Sequence, residues 1–503
     1  MTEGSRKRVP YYRRKMEIPL FEGISTSVTQ SAAPLKYAVN CYNFTFKNGA
    51  LMSGLGVGGG RVPIGEDGGG LTLELPAMPS EFGGWIESMH MYHRFDYETG
   101  KRDDRLVVIS GSGIPMYVKY FRPNLAQFNW IPINGISMPG KTCSVNYNYD
   151  GRDILLISSK NSTVLLDEGD ASYVQNSPHF SSLTKHYERV YGTVYGNKRQ
   201  VWFSDDFNPL NWTVSNTEGG YIDFNDEGGA VIKVVSFSNY LFIFREYEIL
   251  RLRAFGDQND FSLSKLFVAT GRIFEDTVTI AGDKIMFMAD DGVYEFNGET
   301  ARKVFTDINA FFNLPQVRPS GCYMHGKYYL ACLLRFPNQQ STAFLDEIGR
   351  AYSVNALVEF DLEKRIFSIM RGVDIYALLA VSIGRDSRIF TLFSDEPART
   401  VGNVESSASY FDAPLEALWQ SPESDLGYPG RKKVIRSINI NVGSRPVTVG
   451  ISVDGKRYEY EVCGKNRKIN VGHGGELVAF SFKSGVLRIG TEINAFSVTF
   501  DVV

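Results

Sequence analysis

The stretch GDKIMFMADDGVYEFNG, residues 282–298, alternates turn sequences with short apolar runs. Gly-Asp and Asp-Gly pairs favour the positive φ values of tight β-turns, and the runs between them are rich in residues that favour strands. Because IMFM is apolar without alternation, it predicts a strand covered on both faces of its sheet. The stretch therefore indicates a β-hairpin inside a larger packed β-structure.

The same unit, a polar turn followed by a short apolar strand, recurs along the chain. Seven copies can be recognised: GKRDDRLVVIS (100–110), DGRDILLISS (150–159), GNKRQVWFS (196–204), SNYLFIFR (238–245), GDKIMFMA (282–289), HGKYYLACLL (325–334) and GRDSRIFTLFS (384–394). Their spacing of about 42 to 59 residues is close to the length of a propeller blade. Most copies are followed by another strand, so each unit predicts a four-stranded meander. Residues 31–411 are therefore expected to form a β-propeller of six or seven blades.

The two ends of the chain differ from this repeat. Residues 431–503 contain strands of alternating apolar and polar residues, which predict an antiparallel β-sandwich-like domain, and 412–430 reads as a linker. Residues 1–30 read as a basic N-terminal arm and lead-in, and the arm is either a solvated tail or a grip on a neighbouring subunit or a phosphate backbone. Its cationic residues are Arg6, Lys7, Arg8, Arg13, Arg14 and Lys15. The expected fold class is all-β.

Composition narrows the possible partners and compartments. The 503 residues include 53 Lys and Arg against 56 Asp and Glu, so overall charge gives no reason to expect nucleic-acid or membrane attraction. The five cysteines show no CxxC pairing, which favours buried free thiols in a reduced compartment. No run approaches about 18 apolar residues, and no apolar segment follows the N-terminal charges. Neither a membrane span nor a signal peptide is expected.

Three stretches invite a chemical interpretation. KRQVWFSDDFNPLNWTVS (198–215) places Trp202 and Trp212 around Asp205 and Asp206, as in a sugar-binding acid site or a turn between strands. Adjacent strand residues point to opposite faces, so these carboxylates are not expected to form a hydrolytic pair. SGLGVGGGRVPIGEDGGG (53–70) lacks the Lys-Ser/Thr ending of a nucleotide loop and is interpreted as a flexible loop. His90 and His93 are not expected to bind metal. No catalytic residue, cofactor or metal site is predicted.

Several motifs in order resemble a known family. They are NCYNFTFKNGALMSGLGV (40–57), VYGNKRQVWFSDDFNPLNW (194–212), AVIKVVSFSNYLFIFREYEILRLRA (230–254) and DKIMFMADDGVYEFNG (283–298). Together they resemble the bacteriophage tail β-propeller family, which includes tail nozzle and packaged-DNA stabilisation proteins.

This resemblance implies a structural virion protein without catalytic activity, made in the host cytoplasm and located in the tail. It also implies a ring of identical copies around the DNA channel, with six-fold symmetry as one candidate. The ring would contact packaged DNA and dock tail adaptor and fibre or adhesin proteins, with Trp202, Trp212 and the basic arm as interaction candidates. The alternatives are a carbohydrate-binding or glycoside-hydrolysing propeller, in which the tryptophans stack on sugars, and a cellular interaction platform.

Overall fold

The computed structural model describes residues 12–26, 34–64, 71–120, 128–215, 218–256, 258–336, 355–393, 401–484 and 491–503. Regular structure in these ranges is almost entirely β, which confirms the all-β prediction. The helical elements described are short 3-10 turns at Ser80–Phe82, Gln258–Asp260, Glu275–Thr277 and Thr306–Phe311.

Six four-stranded antiparallel meanders, sheets I to VI, follow one another along the chain. Sheet I contains Ile86–Tyr92, Arg105–Ser110, Pro115–Lys119 and Ile131–Pro132. Sheet II contains Cys143–Tyr149, Arg152–Ser158, Thr163–Asp167 and Asp170–Tyr173. Sheet III contains Phe180–His186, Arg189–Val194, Gln200–Phe203 and Gly220–Asp223. Sheet IV contains Val231–Phe237, Tyr240–Arg245, Glu248–Arg253 and Ser262–Val268. Sheet V contains Thr279–Ala281, Lys284–Ala289, Gly292–Phe296 and Ala301–Lys303. Sheet VI contains Ser320–Met324, Lys327–Cys332, Ala356–Asp361 and Ile366–Arg371.

Sheet VII combines strands from both halves of the chain, in the order Ile375–Ile383, Asp386–Phe393, Gly402–Glu405, Gly56–Gly59, Ser409–Tyr410 and Ala413–Pro414. The N-terminal Gly56–Gly59 strand pairs antiparallel with Gly402–Glu405. Part of the glycine-rich stretch expected to be a flexible loop is therefore a sheet strand, and 65–70 of that stretch lie outside the described residues. Glycine is required because a Cβ at Gly56 would lie 2.8 Å from the carbonyl oxygen of Ser409.

Each sheet packs on the next through apolar clusters, and sheet VII packs on sheet I. Alternate residues of the second strands face opposite neighbours. In sheet IV, Leu241 and Ile243 belong to the core shared with sheet III, whereas Phe242 and Phe244 belong to the core shared with sheet V. This two-sided burial explains why the runs are apolar without alternation.

The predicted repeat matches the second strand in six of the seven sheets. The exception is QVWF, which is the third strand of sheet III rather than the second. The second strand is Arg189–Val194, reached through a turn at Tyr187 and Glu188 in which Tyr187 has φ of 50°. That turn contains no Gly, Asn or Asp, so the local turn signal is missing.

Two further sheets, VIII and IX, share one apolar core and together form a unit called the module. Sheet VIII contains Arg467–Gly475, Lys433–Val442, Glu492–Val502, Ala50–Ser53 and Phe44–Lys47, with Tyr12–Ile18 also paired to Glu492–Val502. Sheet IX contains Asn40–Tyr42, Ala417–Gln420, Val478–Ser484, Val447–Val453 and Lys456–Val462. The remaining short pairs are Gly23–Ile24 with Tyr37–Ala38, Arg61–Pro63 with Thr72–Glu74, and Phe95–Asp96 with Lys101–Arg102.

Strand pairing differs from the sequence-based division of the chain. Residues 40–53, expected in the repeat at 31–411, pair with the C-terminal strands. The expected linker 412–430 contains the strand Ala417–Gln420, whose Trp419 is fully buried beside Phe482. These pairings join segments nearly 400 residues apart, and local sequence patterns do not reveal such partners.

Candidate functional site

The two adjacent aspartates of 198–215 are engaged in building a turn. Asp205 accepts a hydrogen bond from the backbone N–H of Asp206 at 2.8 Å, as expected for a turn aspartate. The carboxylate of Asp206 lies 2.6 Å from Nε of Arg189, whose side chain is buried. The pair therefore holds a turn to the second strand of sheet III.

The two tryptophans occupy different environments. Trp212 is buried in the core between sheets II and III, with its ring centroid 4.6 Å from that of Phe180. Trp202 is partly buried, and its ring lies 5.1 Å from that of the exposed Tyr221. Trp202 and Tyr221 thus form a partly exposed aromatic pair on sheet III, whereas Trp212 is a core residue.

The described part of the basic arm is a strand of the module. Arg6, Lys7 and Arg8 lie outside the described residues. Arg13, Arg14 and Lys15 lie in Tyr12–Ile18, and Nε of Arg13 is 3.1 Å from the buried carboxylate of Asp501. Lys15 pairs with Glu17, and the Arg14 side chain is exposed. This half of the arm is not a solvated tail, because its backbone is paired within its own chain. Its contact with a neighbouring subunit or a phosphate backbone stays a prediction.

His90 and His93 do not converge on one site. The ring of buried His90 hydrogen bonds to the hydroxyls of Thr142 and Ser144, at 2.6 and 2.9 Å. His93 instead lies 3.2 Å from Asp104. Within the described ranges, no three His, Cys, Asp or Glu side chains are grouped so that they could hold a metal ion.

A cluster of charges that sequence inspection missed connects sheets that are not packing neighbours. Lys141, just before the first strand of sheet II, pairs with Glu275 and Asp276, just before the first strand of sheet V. Nζ of Lys233, from the first strand of sheet IV, donates to the carbonyl oxygen of Glu275 at 3.1 Å. These four residues are called the central cluster. The first strands of most successive sheets lie beside one another, and the cluster joins the starts of sheets II, IV and V across the space between them.

Burial and neighbouring charges shift the pKa values of the lysines in the central cluster. Burial opposes the charge of Lys141, but the carboxylates of Asp276 and Glu275 outweigh it and raise the Lys141 pKa above its ordinary value. Lys233 is more buried, and burial lowers its pKa. Burial also raises the pKa of the neighbouring Cys143 thiol to about 12, which keeps it protonated. The one available sequence signal was Lys233, the single charge in the apolar run VIKVVSF.

Comparisons with known proteins assign no family to the chain. No family model matches the sequence, and no curated protein sequence matches it. Crystal structures of BBS1N in complex with ARL6DN, soaked with lead or with mercury, each match with a TM-score of 0.40 and 8% identity, over 69% of this chain and 95% of theirs. The computationally designed Ika8 protein matches with a TM-score of 0.33 and 10% identity, over 69% of this chain and 99% of its own. Separately, no helix in the described part of the chain is long and apolar enough to cross a membrane.

Proposed function

We propose that sheets I to VII are the seven blades of a β-propeller and that sheets VIII and IX form a β-sandwich attached to it. Support comes from the packing order, because each sheet shares an apolar core with the next and sheet VII shares one with sheet I. The mixed sheet VII supports the same view. Propellers commonly close their ring with one blade that contains strands from both ends of the chain. In sheet VII the strands from the two halves are joined by backbone hydrogen bonds, which must break before the ring can open.

The chain acts as a structural protein of a bacteriophage tail, assembling as a ring around the DNA channel and docking neighbouring tail proteins. The observation that carries this proposal is where the family-like motifs lie. Residues 194–212, 230–254 and 283–298 supply core strands of sheets III, IV and V, and 40–57 supply three strands of the module and part of sheet VII. The resemblance therefore falls on the packed framework, as expected for a shared architecture without catalysis.

The central cluster bears on the route of DNA. Its ion pairs lie in the space between the first strands of sheets II, IV and V and narrow that space at the level of Lys141 and Glu275. A DNA duplex is also far wider than the centre of one small propeller. The channel in this proposal is therefore enclosed by several copies arranged around it.

Electron microscopy of the purified chain tests the assembly. Closed rings with a central opening wide enough for duplex DNA, and their incorporation into tails of a phage that encodes the chain, are the expected results. A protein that stays monomeric at concentrations near 100 µM, roughly those used for weak protein complexes, contradicts the proposal.

A carbohydrate-binding role is the second candidate, and one observation favours it. The pair of Trp202 and Tyr221 offers a partly exposed aromatic surface of the kind on which sugar rings stack. Glycan-array binding that is lost in Trp202→Ala and kept in Tyr173→Ala, another exposed aromatic, would support this role. Absence of binding to any glycan would remove it.

A further inference from the structure

One outer strand among sheets I to VI is both long and uncovered. The outer strands of sheets I, II, III and V have two, four, four and three residues. That of sheet VI has six residues but is covered by the module, where the N–H of Asn43 bonds to the carbonyl oxygen of Ile369. Ser262–Val268 in sheet IV has seven residues and is mostly exposed. Such an edge presents unpaired N–H and C=O groups that can accept another strand.

The module has long edges of its own. They are Tyr12–Ile18, Arg467–Gly475 and Lys456–Val462. The first carries mainly cations at its exposed positions, and the second begins with Arg467 and Lys468. The third begins with the exposed cations Lys456 and Arg457 and continues with the exposed carboxylates Glu459 and Glu461.

Charge on sheet IV distinguishes between these edges. Arg251 and Arg253 lie two residues apart on the strand next to the exposed edge, directly opposite Ser264 and Ser262. Cations at this spacing repel the two basic module edges and attract the carboxylate-bearing half of the third edge, whose cations lie at its other end. Glu459 already pairs with Arg457 of its own strand at 2.8 Å, whereas in the part of the chain that the structure describes neither Arg253 nor Glu461 has an ion-pair partner.

We propose that Ser262–Val268 of one copy pairs antiparallel with Lys456–Val462 of the next copy, an inference that rests on the proposed ring assembly. In this register Ser264 lies opposite Glu459 and Ser262 opposite Glu461. Each row then reads arginine, serine, glutamate across three strands. Strands two apart are separated by about 10 Å, which extended arginine and glutamate side chains span together over a small serine.

The contact uses different surfaces on the two copies. Sheet IV belongs to the ring of sheets, and Lys456–Val462 belongs to the module, so every copy offers one edge of each kind. A head-to-tail contact of this type closes into a ring when the rotation permits and otherwise grows into a filament. It also covers the most exposed edge of the ring of sheets.

Charge reversal tests the pairing in the full-length chain. Arg253→Glu and Glu461→Arg are each expected to weaken self-association about tenfold in sedimentation velocity at low salt, because each places like charges in one row. Mixing the two variants restores association, since the reversed edges complement each other and the unreversed edges still pair. Arg385→Glu makes the same charge change on an exposed turn of sheet VII and should leave association unchanged.

The outcomes separate the edge contact from the proposed function. If the chain forms rings whose stability is unchanged by both reversals, the edge pairing is wrong and the proposed tail function is not affected. Open filaments that respond to both reversals and recover on mixing support the edge pairing and contradict the closed ring. A chain that remains monomeric overturns the edge pairing.

Proline variants test the backbone hydrogen bonds of the proposed pairing separately. Leu263→Pro and Ser264→Pro remove adjacent backbone N–H groups, of which one points outward from the edge. One variant should lose association at an unchanged melting temperature, and loss from neither overturns the pairing.

Discussion

At the scale of single residues, Arg189 is the buried cation to which the turn containing the adjacent aspartates is attached. The Arg189 side chain is buried, and its Nη1 donates to the carbonyl oxygens of Ser204 and Glu218 at 2.7 and 3.0 Å. Asp206 supplies the counter-charge from a side chain that is 44% exposed. The turn is thus anchored to a buried cation whose charge must be balanced.

Asp206→Asn should therefore lower the free energy of unfolding by about 1 kcal/mol, because solvent screens part of the lost ion pair. Asp205→Asn is the matched control, since an asparagine oxygen can still accept the backbone N–H of residue 206. Its expected cost is only a few tenths of a kcal/mol. Urea denaturation of the two variants measures the difference, and equal costs would contradict the role of Arg189 as the anchor of the turn.

Buried His90 predicts an acid-sensitive contribution to stability. Burial lowers its pKa from 6.5 to about 4. The unfolded chain then binds more protons between these values, so stability is complete above pH 6.5 and falls as the pH is lowered toward 4. On going from pH 7 to pH 5, His90→Gln should lose about 2 kcal/mol less stability than the wild type. Urea denaturation at both pH values tests this, and identical losses would show that the pKa of His90 is the same in the folded and unfolded chains.

At the scale of elements, the strand Gly56–Gly59 depends on close backbone approach in sheet VII. A Cβ at Gly56 would lie 2.8 and 2.9 Å from the backbone oxygen and nitrogen of Ser409, which cannot move aside. A Cβ at Gly59 would meet the flexible end of the Glu74 side chain. Gly56→Ala should lower the free energy of unfolding by about 2 kcal/mol, and Gly59→Ala by less than half of that. The melting temperature of Gly56→Ala should therefore fall further than that of Gly59→Ala. A larger effect at Gly59 would contradict this difference in packing between the two glycines.

The strand Tyr12–Ile18 is a second element whose removal has a defined consequence. It pairs along its whole length with 496–502, and Arg13 and Arg436 both contact Asp501. Burial alone would raise the pKa of Asp501, but hydrogen bonds from the two arginines hold it below its ordinary value. Deleting 1–18 should lower the melting temperature by more than about 5 °C, whereas deleting 1–11 removes none of these contacts. Equal melting temperatures would show that the strand contributes little.

These elements show what local sequence can predict. The repeat was visible because the turns before most second strands carry Gly, Asn or Asp and the strands are buried on both faces. The second strand of sheet III was not predicted because the turn at Tyr187 lacks the usual turn residues. The strand Gly56–Gly59 was not predicted because glycine disfavours strands. The pairing of 40–53 with the C-terminal strands was invisible because nothing local encodes a partner so distant. The central cluster was missed for the same reason, since Lys141 and Glu275 are 134 residues apart.

At the scale of the whole molecule, distant segments hold the fold together. Sheet VII joins Gly56–Gly59 to Gly402–Glu405, and the module joins 12–18 and 40–53 to the C-terminal strands. Backbone pairing between the chain ends makes the sheets and the module interdependent, so damage to either is expected to loosen the other. The central cluster adds contacts between sheets that are not neighbours.

Lys141→Met tests whether the central cluster restrains the seven sheets. The paired side chains of Lys141, Glu275 and Asp276 are 41 to 45% exposed, so the expected loss of stability is below about 1 kcal/mol. Hydrogen–deuterium exchange is more sensitive, because the pairs fix Glu275–Thr277 relative to the start of sheet II. Exchange should accelerate at both segments in the variant, and about 1 M salt should bring the wild type closer to it by screening. Lys160→Met, at an exposed turn of the same sheet, should leave exchange unchanged. If Lys141→Met also leaves exchange unchanged, sheet packing alone fixes the starts of sheets II and V, and the charges of the central cluster do not restrain them.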